Sequence, residues 1–354
     1  MSKRIIALLL ALVMVFALCA CGKGGNGGNS AGNDDVGDET YTIRIACENS
    51  DSYPATLGLY QMEKYVESHT NGKVQIEVCA SGQLGGEEET LEQVAQGNLE
   101  MAVASFAPVV SYVPDFEVMD IPFVYNSYTE AWMVLDSYVG TNLLDKMEAQ
   151  GLKGMAYMEN GMRQVTSNVS AINSIADFKG VKLRTMQNNN HMESFSALGA
   201  NPTPVAFSEL YISLSQKVVD AQENPIANVT DKKLYEVQKY LSLTNHIYDA
   251  MPLVCNLEFF NSLPQAYQKV VQAGAIYAQE FSRFCNYERE SLILADLADK
   301  YGMQINEVSA DARAEMAKVA QPAVIKLVAK DIGQDAVDQY MNDVKDVLAQ
   351  ISKF

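Results

Sequence analysis

The chain has 354 residues, 48% of them hydrophobic, with 44 acidic against 26 basic side chains and a formal charge of −18. So acidic a balance excludes roles that need a basic face, nucleic-acid binding and adhesion to anionic membranes among them. The three histidines show no His-x-x-x-His spacing and the six cysteines no Cys-x-x-Cys, which removes the usual zinc patterns.

The first residues, MSKRIIALLLALVMVFALCACGKGG, place Lys3 and Arg4 before an apolar run from Ile5 to Ala20. That run falls short of the roughly 20 apolar residues a spanning helix needs, so residues 1–20 read as a cleaved export signal. Leu18-Cys19-Ala20-Cys21 resembles the lipobox, in which the Cys thiol, here Cys21, accepts diacylglycerol; ordinary A-x-A type cleavage is the alternative. Each buried methylene of such an anchor contributes about 0.8 kcal/mol, so two or three chains hold a folded domain at the membrane surface. Residues 21–40 are rich in Gly and Asn and bury almost nothing, which predicts a flexible tether with a reach of about 24 Å.

From Tyr41 onward the composition suits two lobes of ordinary size. TIRIACE, 42–48, alternates like a strand, an amphipathic run follows from Pro54 to His69, and KVQIEVCA, 73–80, alternates again. Asn71-Gly72 closes the helix, and the order strand, helix, strand predicts a βαβ unit with a parallel sheet. Glu87 to Glu89 open the next helix, where the helix dipole favours carboxylates; Gly97 caps it, and Met101 to Ala104 form a strand. Tyr128 to Gln150 reads as one helix and Gly154 to Met158 as a strand. GMRQVTSN and ADFKGVKLRTMQ then begin a second set of strands; in VKLRTMQ, Val181, Leu183 and Thr185 alternate with Lys182, Arg184 and Met186. Short helices follow between Asn190 and Gly199 and after Ser208. From Leu263 to Lys300 apolar residues recur at helical spacing, and roughly 35 helical residues make a rod of about 50 Å, longer than one lobe is wide.

No internal repeat is present, nor any G-x-S-x-G, H-E-x-x-H, Walker or G-x-G-x-x-G pattern. Cys47, Cys79, Cys255 and Cys285 each sit alone in apolar surroundings and read as buried free thiols, with one or two disulfides as the alternative outside the cell.

Four blocks, ENGMRQVTSN (159–168), INSIADFKGVKLRTMQ (172–187), LGANPTPVAFSELYISLSQKVVDAQENP (198–225) and YEVQKYLSLTNHIY (235–248), together resemble one family. They are similar to the solute-binding proteins of tripartite ATP-independent periplasmic (TRAP) transporters of the DctP type, which include binders of sialic acid and C4-dicarboxylates. The resemblance runs over about residues 41–300, with KVQIEVCASGQLGGE and LEMAVASF matching more loosely. It implies an α/β fold of the two-lobed, type II periplasmic-binding-protein kind, with a ligand cleft between the lobes and the long helix spanning both. Residues 41–160 with about 249–285 are expected in the first lobe, and 161–248 with about 286–354 in the second.

In that family the arginine of the K-[LI]-R strand forms a bidentate salt bridge with the ligand carboxylate, and the resemblance puts Arg184 in that role. The planar guanidinium fork suits a carboxylate and stays charged at any relevant pH. Arg163 matches a second family arginine, expected either at the same carboxylate or in an ion pair between lobes. Asn224, in DAQENP, matches an asparagine that bonds the carboxylate or a neighbouring hydroxyl, the alternative being a turn cap before Pro225. Phe207 matches a ring that packs on the ligand's apolar side, the alternative being a core residue. Where the sialic-acid binders carry aspartate after Leu-Gly this chain has Gly86-Glu87, and where they carry a glutamate after the following strand it has Ser105. Glu87 and Ser105 are therefore further candidates with altered specificity. Gln187 to His191, Asn188 among them, either serve a polyhydroxylated acid or form a solvated loop.

The expected function is capture of a small organic acid, a dicarboxylate, sugar acid or sialic-acid-like solute, by arginine and lobe closure. Delivery to the small and large TRAP membrane subunits follows, from a lipid-anchored position on the extracytoplasmic face, with no cofactor and no catalysis. Two other readings are a binding lipoprotein of an ABC importer and a lipid-anchored enzyme using carboxylates such as Glu209 and Glu223 for acid/base work.

Overall fold

A computed structural model describes residues 39–351. The expected export signal, Cys21 and all but the last two residues of the tether lie outside that range. Strand β1 (Tyr41–Ala46), helix α1 (Pro54–His69) and strand β2 (Val74–Cys79) form the expected βαβ unit, β1 and β2 pairing in parallel from Tyr41 opposite Val74 to Ala46 opposite Cys79. Helix α2 (Glu87–Ala95) returns the chain to β3 (Met101–Val103), parallel to β1 on its other edge. A single turn α3 (Phe106–Val109) and a 3₁₀ stretch over Pro114–Asp120 follow.

The single helix expected from Tyr128 to Gln150 is two helices, α4 (Tyr128–Leu135) and α5 (Tyr138–Lys146), with a 3₁₀ end at Met147–Gln150. Ser137 accepts the Val139 N–H at 3.1 Å as an N-cap, which starts a new helix in place of continuing the old one.

Strand β4 (Leu152–Ser167) is 16 residues long and runs through what the sequence suggested were two strands. Its first part pairs antiparallel with β9 (Tyr248–Asn256), and its last part, from Arg163, with β7 (Ala221–Pro225) and β8 (Tyr240–Leu243). The register slips between Glu159 and Gly161, and Gly161 has φ 125°, a conformation that a side chain would strain. The bulge lies where β4 passes from one set of strands to the other.

β5 (Lys182–Thr185) pairs in parallel with β6 (Asn201–Pro204) and with β7; helices α6 (Asn189–Ala197) and α7 (Leu210–Ser215) connect them, and α8 (Ile226–Asp231) leads from β7 toward β8. After α9 (Leu257–Ser262) comes α10 (Gln265–Asp299), 35 residues long as the periodicity predicts, then β10 (Gln304–Glu307) beside β8, α11 (Ala310–Ile332) and α12 (Gln334–Ile351).

Alternate residues of each strand enter opposite faces, so each half of the sheet is covered twice. Ile43, Ile45 and Leu253 pack with Leu59 and Met62 of α1 and Val271 and Ala275 of α10; Ala46, Ala102 and Tyr157 face Leu91, Phe106, Phe116 and Val134. In the other half, Val165, Leu183 and Phe195 pack with Met316 and Ala320 of α11, while Leu210, Val229 and Leu241 pack with Leu297 at the end of α10. The long helix therefore contributes to the cores of both halves. Residues 286–354, expected wholly in the second lobe, divide. Leu297 and Met303 join the second half, but Val324 and Val328 of α11 and Val337, Tyr340 and Val344 of α12 pack in the first. Cys47, Cys79, Cys255 and Cys285 are buried free thiols.

Candidate solute-binding cleft

In open α/β sheets, ligands settle beyond the carboxyl ends of parallel strands, where loops converge and helices begin. A cavity of about 250 Å³ occupies that place here. Glu48 and Asn49 after β1, Glu87 at the start of α2 and Ser105 after β3 line it from the first half. Arg184, Gln187, Phe207, Asn224 and Asn228 line it from the second, with Asn160 at the β4 bulge between them.

Arg184 is held in β5 between Leu183 and Thr185 and is 1% exposed. Its Nε donates to the Val205 carbonyl at 2.8 Å, which fixes the plane of the guanidinium. Its Nη1 is buried with no hydrogen-bond partner. Burial lowers its pKa to about 10, Arg163 adding to the effect against the pull of Glu223, so it stays a cation at neutral pH. A buried cation with a free donor at the edge of a cavity is costly unless an anion completes it.

Arg163 is not among the cavity's lining residues. Its guanidinium bonds both carboxylate oxygens and the carbonyl of Glu223, and Nη1 bonds Asp249 Oδ2 at 2.7 Å. A longer contact of 3.4 Å reaches Asn224 Oδ1. It thus joins Glu223 on β7 to Asp249 on β9, beside the β4 bulge. Burial alone would raise the Glu223 pKa, but Arg163, His191 and His246 hold it well below the usual range. His191 is 3.2 Å from Asp120 and 3.8 Å from Glu223; against burial, these carboxylates raise its pKa to about 9, so it is charged. Asn188 is also outside the lining. Its side chain caps α6 by accepting from Asn190 and His191 N–H and donates to Asp120 at 2.8 Å. The two residues therefore tie segments together behind the cavity wall.

The other candidates face the cavity. Asn224 donates to Gln222 Oε1 at 2.6 Å and accepts from Asn228 Nδ2 at 3.1 Å. Asn228 accepts from Asn49 at 3.0 Å and also donates to Asn160, so a chain of amides crosses from one half to the other. The Phe207 ring lies under Lys232 Nζ, 4.4 Å from its centroid. Glu87 Oε1 accepts from both the N–H and the Oγ–H of Ser105 at 3.0 Å, and Glu48 Oε2 accepts the Glu87 N–H at 3.2 Å. Burial, then the neighbouring Glu48, raise the Glu87 pKa to about 8, and burial raises that of Glu48. Gln187 donates to Glu88 Oε2 at 3.2 Å, a second bond between the halves. Glu48, Asn49, Asn160 and Asn228 carry no local signal in the sequence. Each is a single polar residue just past or within a strand or helix, and only the topology gathers them. Among the described residues no cluster of His, Cys, Asp and Glu is arranged to hold a metal.

Residues 45–331 match the family model of bacterial extracellular solute-binding protein, family 7, DctP. A solute-binding protein of Verminephrobacter eiseniae is 33% identical, over 75% of this chain and 78% of its own. The C4-dicarboxylate-binding periplasmic protein DctP of Rhodobacter capsulatus is 31% identical, over 84% of this chain and 90% of its own. The crystal structure of the sugar acid binding protein DctPAm from Advenella mimigardefordensis, in complex with galactonate, superposes with a TM-score of 0.83 at 31% identity, covering 87% of this chain and 99% of that one.

Proposed function

The chain belongs to the DctP family of TRAP solute-binding proteins, substrate-binding transporter components and not enzymes, and on that premise we propose that it captures a small organic acid by its carboxylate at Arg184. The observation that carries this reading is the buried guanidinium whose Nη1 has no partner at the cavity wall. A carboxylate there supplies the missing acceptor in charge-assisted bonds, which are about twice as strong as neutral ones. Asn224 and Asn228 offer amides beside it, and Phe207 an apolar face. Arg163, with its Glu223 and Asp249 partners, keeps the frame in which Arg184 stands.

Capture proceeds by rotation of the two halves about β4 and β9, with the solute favouring the closed state in proportion to its extra contacts there. The closed protein then docks on the TRAP membrane subunits. Thermal unfolding with a panel of acids and their uncharged alditols tests the reading. An acid at about 100 times its Kd adds about 2.7 kcal/mol and a shift of several degrees, while the matching alditol leaves the transition in place. Equal shifts from acid and alditol would sink the carboxylate reading.

The location is proposed as extracytoplasmic, with Cys21 carrying the lipid; among the described residues no helix is long and apolar enough to cross a membrane. Cys21→Ser should move the protein from the membrane fraction to the soluble one, and an unchanged distribution would contradict the anchor.

A further inference from the structure

We propose that the cleft selects a monocarboxylate whose other carbons carry hydroxyl donors, and that it rejects dicarboxylates, because the wall opposite in origin to Arg184 carries Glu48, a buried carboxylate with one oxygen that no donor meets. The inference rests on the carboxylate reading above and deepens it. Arg184 comes from the second half of the sheet; Glu48 and Glu87 come from the first, and all three line one cavity.

Glu48 is 8% exposed, and its Oε1 is buried with no hydrogen-bond partner while Oε2 accepts from the Glu87 N–H. Glu87 Oε1 is taken up by Ser105. Neither carboxylate forms an ion pair with a described residue; the closest cationic influences on Glu48 are Lys232 and Arg184. The site thus presents one unsatisfied cation and at least one unsatisfied acceptor. A solute that meets both has a carboxylate at one end and an O–H donor at the other. A second carboxylate brings no donor to Glu48 Oε1 and leaves that oxygen unpaired. A monoanion neutralises Arg184, and a dianion leaves one charge over.

Calorimetric titration of the protein, of Glu48→Gln and of Arg184→Met, each with galactonate, erythronate, succinate and malate, tests this. The parent should bind galactonate or erythronate at least tenfold more tightly than succinate or malate. Glu48→Gln, whose amide can donate to a second carboxylate, should narrow that ratio by tenfold or more. Succinate or malate bound as tightly as the hydroxy acids, with all binding lost in Arg184→Met, would overturn the selectivity and leave the carboxylate reading standing. Binding of none of the four, or equal binding by Arg184→Met, would overturn both. Should Glu48→Gln fail to fold, the parent ratio alone decides.

Discussion

Arg163 and Arg184 are 0% and 1% exposed, yet their electrostatic circumstances are opposite. Arg163 is satisfied by Glu223 and Asp249; Arg184 has one protein hydrogen bond and a bare Nη1. Removing one member of a buried, satisfied pair strands the other, so Arg163→Met should lower the unfolding free energy by about 3–5 kcal/mol. Removing an unpaired buried cation relieves its desolvation, so Arg184→Met should leave the solute-free protein as stable as the parent or more so. Urea denaturation without solute compares the two, and a loss for Arg184→Met equal to that for Arg163→Met would make Arg184 a structural residue. Arg184 stands out in the sequence only through the family resemblance that the K-x-R and D-x-Q-E-N-P blocks carry; alone, an arginine in an alternating strand reads as a solvated outward residue. Its counterparts do not stand out. Asn49 and Asn228 meet across 179 positions, and His191 meets Asp120 across 71, so no local pattern announces them.

At the level of elements, helix α1 was legible to the residue, from Pro54 at its first turn to the Asn71-Gly72 pair, because both ends carry local signals. β4 was not. Asn160-Gly161 looks like a turn, and Glu159, Asn160, Arg163, Gln164 and Thr166 look solvated, whereas all five are buried in the strand that joins the two halves. Their partners lie on β7, β9, α4, α8 and α10 and in the loops at Gln238 and Asn245, which only the assembled fold supplies. The contact between α1 and α10 is closer than apolar periodicity suggests. A Cβ on Gly58 would lie 2.5 Å from the Ala278 carbonyl oxygen, a backbone atom that cannot rotate away. Gly58→Ala should therefore cost about 1–3 kcal/mol by overpacking, despite its better helix propensity. A thermal unfolding midpoint unchanged or raised in that variant would show that the two helices separate freely, and that α10 is not a rigid brace.

For the molecule as a whole, a charge of −18 and an anionic solute are compatible because the potential in a cleft is set by what lines it. Bonds already cross between the halves, Gln187 to Glu88 and Asn188 to Asp120, and under the proposed reading a solute would add its own on Arg184 from one side and on Glu48 from the other. The fold class and the family were readable from four sequence blocks and the long helix; the return of α12 to the first half was not, because its apolar stripe fits either core. The most direct measurement is isothermal titration of the parent and Arg184→Met with whichever of galactonate, erythronate and succinate stabilises the parent most. Two charge-assisted bonds at about 1.5–3 kcal/mol each predict a loss of at least a hundredfold in affinity. An affinity within a few-fold of the parent would show that the carboxylate is held elsewhere and would contradict the account.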